Sequence, residues 1–137
     1  GQPLDDEMAD RISRHRRVRG TDWVTAEVPL DVEAWFRKEG SAYRVIVLDC
    51  VTLWLSNLLG SGLPGEAIPS RVADLLEVVR ATGARAVVVS NELGFGLVPA
   101  DPVSREFRDL AGRVNQQFAA MADEVYLVVA GLALRVK

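Results

Sequence analysis

The sequence predicts an α/β domain built around a mostly parallel sheet with helices on both faces. Three apolar runs support this prediction, because a strand buried on both faces of a parallel sheet reads as a nearly continuous apolar stretch. The runs cover residues 43–48, 84–90 and 124–130. Amphipathic stretches with helical spacing separate them, at residues 69–81 and 102–122. Strands that alternate with helices favour parallel pairing through right-handed crossovers.

The first part of the chain reads as two helices and a short strand. Residues 4–17 show a helical pattern with acidic residues near the start and arginines near the end, which suits the helix dipole. Residues 23–28 alternate apolar and polar side chains like a strand. Pro29 then opens a short helix that Gly40 closes. The sequence thus predicts helix, strand and helix before the first buried run.

The segments between and after the buried runs predict the remaining elements. The stretch VTLWLSNLL follows the first run and looks helical, and a loop rich in glycine and proline comes after it. An apolar stripe runs along the next helix, which Gly83 ends. Pro102 begins the long helix. Residues 132–137 are expected to form a final, antiparallel strand.

The composition is that of an ordinary globular protein. The 137 residues suffice for one compact domain, and 49% of them are hydrophobic and 26% charged. The net charge of -3 gives no reason to expect nucleic-acid binding. Cys50 is the only cysteine, which excludes a disulfide framework and suits a reducing cytoplasm. No apolar run reaches the roughly 18 residues that a membrane span needs.

Polar residues follow two of the apolar runs, at the sheet edge where α/β proteins bind ligands. Asp49 ends the first run. An acidic residue there holds Mg²⁺ in nucleotide-binding proteins or caps the following helix, and the spacing does not decide between the two. Asn91 and Glu92 end the second run. A carboxylate at this place orients a hydroxyl or a metal-bound water, whereas simple turn chemistry is the plainer explanation.

Basic residues form two candidate anion sites. The only histidine, His15, stands among arginines that include Arg14 and Arg16. A neutral imidazole attacks phosphorus to form a phosphoramidate, and neighbouring guanidiniums favour the neutral form and hold a triphosphate. The alternative is an exposed histidine without a role. Arg113, on the predicted long helix, either reaches a phosphate or carboxylate or belongs to an exposed polar face.

Six stretches occur along the chain in a fixed order: LDDEMADRISRHR, DWVTAE, VLDCVTLWLSNLL, VVVSNELGFGLVP, FRDLAGRVNQ and VYLVVAGLALRVK. In this order they resemble the bifunctional adenosylcobinamide kinase / adenosylcobinamide-phosphate guanylyltransferases of cobalamin biosynthesis. The resemblance covers essentially the whole chain. Several ordered motifs of this length are far more specific than any single one.

The resemblance implies a P-loop NTPase domain of the RecA-like type, assembled as a homotrimer, with Mg²⁺ as cofactor and ATP and GTP as substrates. It also implies two reactions. A nucleoside triphosphate first phosphorylates the aminopropanol hydroxyl of adenosylcobinamide. GTP then guanylylates an enzyme histidine and releases pyrophosphate. The GMP finally passes to adenosylcobinamide phosphate and gives adenosylcobinamide-GDP.

The resemblance further assigns residues. The guanylylated histidine of the family matches His15, and Arg14 and Arg16 beside it would hold the GTP phosphates. Asp49 matches the family's acidic residue that is expected to bind Mg²⁺. Other positions match family stretches and imply a place at the nucleotide site without a fixed role: Glu27, Thr52, Asn91, Glu92, Arg113 and, next to it in the same stretch, Asn115 and Gln116.

One large departure accompanies the resemblance. Family members begin with a strand and a phosphate loop of the form GGxRSGKS, and this chain contains no phosphate-loop motif. Residues 1–137 are therefore expected to form a single nucleotide-binding domain without its first strand and phosphate loop. The chain is then a truncated enzyme, a fragment that docks with a separate N-terminus, or a non-catalytic relative that only binds nucleotide or corrinoid. The survival of His15 and Asp49 favours the first.

Overall fold

The computed structural model describes residues 6–7, 10, 13–14 and 22–137. The described residues of the predicted helix 4–17 are helical, whereas His15 and Arg16 lie outside the described residues. Four α-helices and four strands follow in the described segment from residue 22 onward. They are α1 (Val32–Glu39), β1 (Val45–Asp49), α2 (Val51–Gly60), α3 (Ile68–Ala81), β2 (Arg85–Val89), α4 (Pro102–Met121), β3 (Tyr126–Val129) and β4 (Leu132–Arg135).

The order of α1 to β2, and the position of α4, confirm the sequence-based prediction to within a few residues at each end. Pro102 is the first residue of α4, where its fixed φ and missing N–H cost nothing. None of the helices in the described part of the chain is both long and apolar enough to cross a membrane.

β1 and β2 pair in parallel, as predicted, with Asp49 opposite Val89. A parallel pair needs a crossover connection, and α2 and α3 form it. Because the two strands end together, residues 50–52 and residues 90–92 leave the sheet side by side. This register is what brings the candidate site residues of the two strand ends together.

The helices pack against one face of the β1–β2 pair. The largest fully buried side chains come from α2, α3 and α4 and share one cluster: Val51, Leu55, Leu58, Ile68, Val72, Leu75, Leu110 and Val114. Ile46 of β1 belongs to this cluster, and Leu48 and Val88 pack against it. The apolar stripes that the sequence predicts on α3 and α4 therefore meet over the strands.

The opposite face of this pair is half-open in the described part of the chain, which corrects the prediction of strands buried on both faces. Four valines point to it, and each is between 39% and 46% exposed: Val45, Val47, Val87 and Val89. Side chains of a strand alternate between the two faces, so one layer of helices buries only every second residue. The apolar runs predicted two covered faces, and the described helices cover one.

A second correction concerns the third apolar run. We predicted it as a further strand of the parallel sheet, but β3 pairs with β4 in a separate antiparallel sheet. The two strands are joined by Ala130 and Gly131, whose φ values are 50° and 78°. Two consecutive residues with positive φ form the tight turn that matches the twist of a two-residue hairpin. The antiparallel final strand is confirmed, and Gly131 is a turn residue.

A third correction concerns residues 23–28, which form no strand in the structure. A strand requires a ladder partner, and alternation alone does not provide one. Trp23 and Val24 are exposed by 53% and 74%. Side chains of α2 fix the end of this segment instead. The Trp54 indole N–H donates to the Leu30 carbonyl at 2.9 Å, and the Asn57 amide donates to the Pro29 carbonyl at 3.1 Å.

Replacing Trp54 with phenylalanine is expected to lower the free energy of unfolding by about 1–2 kcal/mol, through loss of one hydrogen bond and some packing. Trp54 is 3% exposed. The Leu30 carbonyl keeps a second donor, the Arg71 guanidinium at 3.2 Å, which limits the loss. Urea unfolding followed by circular dichroism measures the change. Trp23→Phe is the control and should stay within about 0.5 kcal/mol of the parent, because this side chain is exposed.

Asp101 caps the start of α4, and its Oδ1 accepts a hydrogen bond from the Ser104 N–H at 2.8 Å. This bond lowers the pKa of Asp101 below its ordinary 3.8. A carboxyl with a lowered pKa stabilises the folded state above its ordinary pKa. That contribution disappears as the pH falls through the lowered value.

Replacing Asp101 with alanine is therefore expected to lower Tm at neutral pH, and the Tm difference should shrink once the pH falls below about 3.8. Asp101→Asn is the matched control, because asparagine caps a helix without ionising. It should keep the neutral-pH Tm near that of the parent. Thermal unfolding between neutral pH and about pH 2 tests this, and a difference that is constant over that range would contradict it.

Candidate functional site

The candidate site lies where β1 and β2 end. Asp49 is the last residue of β1 and is exposed. The N-cap position of α2 is taken by Cys50, whose side chain makes no capping bond. Asp49 therefore does not occupy the N-cap position of α2, which was the alternative explanation for an acidic residue at this place. The carboxylate stands at the carboxyl end of a parallel strand, where α/β sheets bind ligands.

Thr52 and Asn91 join the two strand ends. Thr52 lies in the first turn of α2 and is 6% exposed. Its hydroxyl accepts a hydrogen bond from the Asn91 side-chain amide at 2.8 Å, and the Cys50 thiol lies 3.2 Å from the same oxygen. A buried hydroxyl needs a partner, and Asn91 provides it from across the sheet edge. Thr52 and Asn91, which the sequence predicts separately as site residues, are thus in direct contact.

Asn115 of α4 binds the three residues that follow β2. Its side-chain carbonyl accepts a hydrogen bond from the Ser90 hydroxyl at 2.6 Å. Its amide nitrogen donates to the Asn91 backbone carbonyl at 3.1 Å and to Glu92 Oε2 at 3.4 Å. Together these groups connect α2, both strand ends and α4. We call this set the strand-end network: Thr52, Ser90, Asn91, Glu92 and Asn115.

Glu92 is exposed and takes part in the turn that follows β2. Its Oε1 accepts a hydrogen bond from the Gly94 N–H at 2.9 Å and so caps the short 3₁₀ helix Leu93–Phe95. A Cβ added at Gly94 would lie 2.8 Å from Glu92 Oε1, so a larger residue here would displace this carboxylate from its present position. The turn chemistry that the sequence suggested is therefore present. The same carboxylate also faces Asn115, so the turn holds it at the strand end.

Three further predicted site residues lie in the described part of the chain, and all three are exposed. Arg14 is helical and exposed, and Glu27 lies exposed on the segment that leads to α1. Arg113 is exposed on α4. Residues two apart on a helix are rotated by about 200°, so Arg113 points away from the side of α4 that bears Asn115. The structure brings together Thr52, Asn91 and Glu92, beside Asp49, and leaves Arg113 on the far side of α4.

Ser90 and Arg108 are polar residues of this region that the sequence does not single out, whereas Asn115 is given a place at the nucleotide site by the resemblance alone, without a fixed role. The Arg108 guanidinium donates to the carbonyls of Gly96 and Leu97 at 3.2 and 3.1 Å. It precedes Asn115 by seven residues, about two helical turns, and so shares its side of the helix. This seven-residue spacing is a signal in the sequence, but it has meaning only once the loop is known to lie along that side.

At the strand ends, Asp49 presents an exposed carboxylate that can bind a magnesium ion, and a second exposed carboxylate, that of Glu92, lies in the turn after β2. No group of three or more His, Cys, Asp or Glu side chains suited to a metal occurs in the part of the chain that the structure describes. Mg²⁺ in nucleotide sites is commonly bound by one or two carboxylates together with substrate phosphates and water. Asp49 fits this mode of binding and does not fit an ion held entirely by protein.

Comparison with known proteins gives a consistent result. Residues 1–136 match a family described as cobinamide kinase / cobinamide phosphate guanyltransferase. Two relatives are named bifunctional adenosylcobalamin biosynthesis protein CobU. The one from Escherichia coli strain K12 is 40% identical, and the one from Salmonella typhimurium is 38% identical. Each alignment covers 99% of this chain and 82% of the relative. The CobP protein of the same description from Pseudomonas aeruginosa is 41% identical over 99% of this chain and 78% of its own length.

Proposed function

Because this chain belongs to the cobinamide kinase / cobinamide phosphate guanyltransferase family, whose members are transferases, we propose that it catalyses both reactions that the family name describes. In the first, ATP or GTP phosphorylates the aminopropanol hydroxyl of adenosylcobinamide. In the second, GMP passes from GTP to adenosylcobinamide phosphate. The observation that carries the proposal is that the match spans residues 1–136, and so includes His15 and the whole strand-end network.

The nucleotide is proposed to bind at the carboxyl ends of β1 and β2, in a domain of the RecA-like P-loop type. Two features of the structure support this place. β1 and β2 are parallel and end in register, which creates the sheet edge at which such folds bind ligands. Polar side chains from two strand ends and α4 then converge on that edge.

Asp49 is proposed to hold Mg²⁺, which supplies positive charge to the nucleotide phosphates when bound. Thr52 and Asn91 fix the geometry of the strand ends through their mutual hydrogen bond. Glu92 offers a carboxylate that two hydrogen bonds hold in place. Glu27 and Arg113 are proposed to contact the nucleotide from outside this network.

His15 is proposed as the nucleophile of guanylyl transfer. One imidazole nitrogen attacks the α-phosphorus of GTP, the N–P bond forms, and the bond to pyrophosphate breaks. A phosphate oxygen of adenosylcobinamide phosphate then attacks the same phosphorus and displaces the histidine nitrogen. Arg14 and Arg16 hold the triphosphate and offset the charge that develops in each step. The proposal further includes a homotrimer located in the cytoplasm.

The two reactions are tested by supplying adenosylcobinamide with Mg-ATP and Mg-GTP and separating the corrinoids by liquid chromatography and mass spectrometry. Adenosylcobinamide phosphate should appear first and adenosylcobinamide-GDP afterwards. Both the 137-residue chain and an extended form, in which a strand and a GGxRSGKS loop precede Gly1, are assayed. Nucleotide binding without any corrinoid product in either form would contradict the proposal and favour a binding module.

A further inference from the structure

Asn115 uses both ends of its side-chain amide at the strand end. The carbonyl accepts from Ser90, and the NH₂ group donates to the Asn91 backbone and to the Glu92 carboxylate, at the distances given above. These three partners are consecutive residues that lead out of β2. One side chain of α4 therefore forms hydrogen bonds to all three residues that follow β2, namely Ser90, Asn91 and Glu92.

The chemistry of these bonds requires an amide. An asparagine offers one acceptor and two N–H donors, whereas an aspartate offers acceptors only. A carboxylate in the place of Asn115 would lose both donated bonds. It would also put a second negative charge within hydrogen-bond reach of Glu92. A leucine would fill the same space and keep none of the polar contacts.

The position of Asn115 on α4 has a second support. Arg108, about two turns earlier on the same side of the helix, donates to the Gly96 and Leu97 carbonyls. Arg105 donates to the Pro99 and Ala100 carbonyls at 3.0 and 2.6 Å. Hydrogen bonds from side chains of α4 thus hold the segment from Ser90 to Ala100 along this helix. Those of Asn115 are the nearest to the end of β2.

We propose that Asn115 is a positioning residue that holds Asn91 and the Glu92 carboxylate at the nucleotide site. Asn115 binds the backbone carbonyl of Asn91, whereas the side chain of Asn91 donates to Thr52. Asn115 therefore holds Asn91 without occupying its side-chain amide. Asn115 thus acts on the reaction through Glu92 and Asn91. The kinetic part of this inference rests on the function proposed above, whereas the structural part does not.

Amide hydrogen exchange tests the structural part. The Gly94 N–H donates to Glu92 Oε1 and should therefore exchange slowly. Asn115→Ala should speed its exchange by about tenfold or more, because the Glu92 carboxylate loses its hydrogen bond from Asn115. The Ser104 N–H, capped in the same way by Asp101, is the internal reference and should be unchanged. Asn115→Leu, which keeps the side-chain volume, serves as a second variant if the alanine variant folds poorly. Asp109→Ala, exposed on α4, is the control substitution.

A double-mutant cycle tests the action through Glu92. Asn115→Ala and Glu92→Gln should each slow GMP-adduct formation, the former by about tenfold or more, since a small misplacement costs that much. The double variant should be no slower than the slower single variant, because both changes remove one function. Rate losses that multiply, or unchanged Gly94 exchange, would overturn the proposal. If neither the 137-residue chain nor the extended form gains the adduct, the proposed function fails, and the exchange result alone decides the role of Asn115.

Discussion

Replacing His15 with alanine is expected to abolish the covalent GMP adduct while nucleotide binding persists. His15 is the only histidine in the chain, so a phosphoramidate on histidine has one place to form. Such a bond is labile in acid and stable in base. Intact-protein mass spectrometry after incubation with Mg-GTP, followed by acid or base treatment, measures both properties of the adduct.

Two results bear on this prediction. Binding of GTP to the His15→Ala variant, measured by calorimetry, should remain within about tenfold of the parent, because we propose that the arginines and not the imidazole hold the phosphates. An adduct that survives in the variant, or one that is stable in acid, would place the nucleophile on another side chain. The guanylylation step would then need a different residue.

Replacing Leu55 with alanine is expected to lower the free energy of unfolding by about 2–5 kcal/mol, which is a large share of the stability of a domain of this size. Leu55 is 0% exposed and lies in the cluster where α2, α3 and α4 meet over β1. The truncation removes apolar contacts on every side and leaves a cavity. Urea unfolding followed by circular dichroism measures the loss.

Leu53→Ala is the matched control for Leu55. It changes the same residue type in the same helix, but Leu53 is 44% exposed. Its cost should stay below about 1 kcal/mol, because nearly half of the side chain already meets water. Equal losses for the two variants would show that Leu55 does not occupy the central place in the core that its burial indicates.

The sequence predicts the central elements well because their patterns reflect local physics. Each of these signals depends only on residues close to it in the sequence. They are the apolar strand runs, the apolar stripes of α3 and α4, and the proline at the start of α4. The predicted strand over residues 23–28 was wrong, and the third apolar run forms the predicted strand but pairs with β4 and not within the parallel sheet. Both patterns are compatible with a strand, but pairing is decided by a partner elsewhere in the chain or by a turn such as that at Ala130 and Gly131.

The candidate site shows the same division. Asp49, Asn91 and Glu92 were predicted because each stands at the end of an apolar run, and the ends of parallel strands meet at one edge. Thr52 was predicted from the resemblance. Within the GRVNQ stretch, however, the residues by themselves single out only Arg113, for its charge, and the resemblance gives Asn115 a place at the nucleotide site without a fixed role. Two residues of separation put them on different sides of α4, and only the register of that helix against β2 shows which one faces the site.

A chase of the guanylylated protein tests most directly whether GMP bound to a histidine is an intermediate of guanylyl transfer. The extended form is loaded with GMP from Mg-GTP, freed of nucleotide and pyrophosphate, and mixed with adenosylcobinamide phosphate. The account predicts that the GMP mass leaves the protein at the same rate as adenosylcobinamide-GDP appears, in equal amounts. GMP that stays on the protein, or a product that forms only when free GTP is present, would contradict a histidine-linked intermediate.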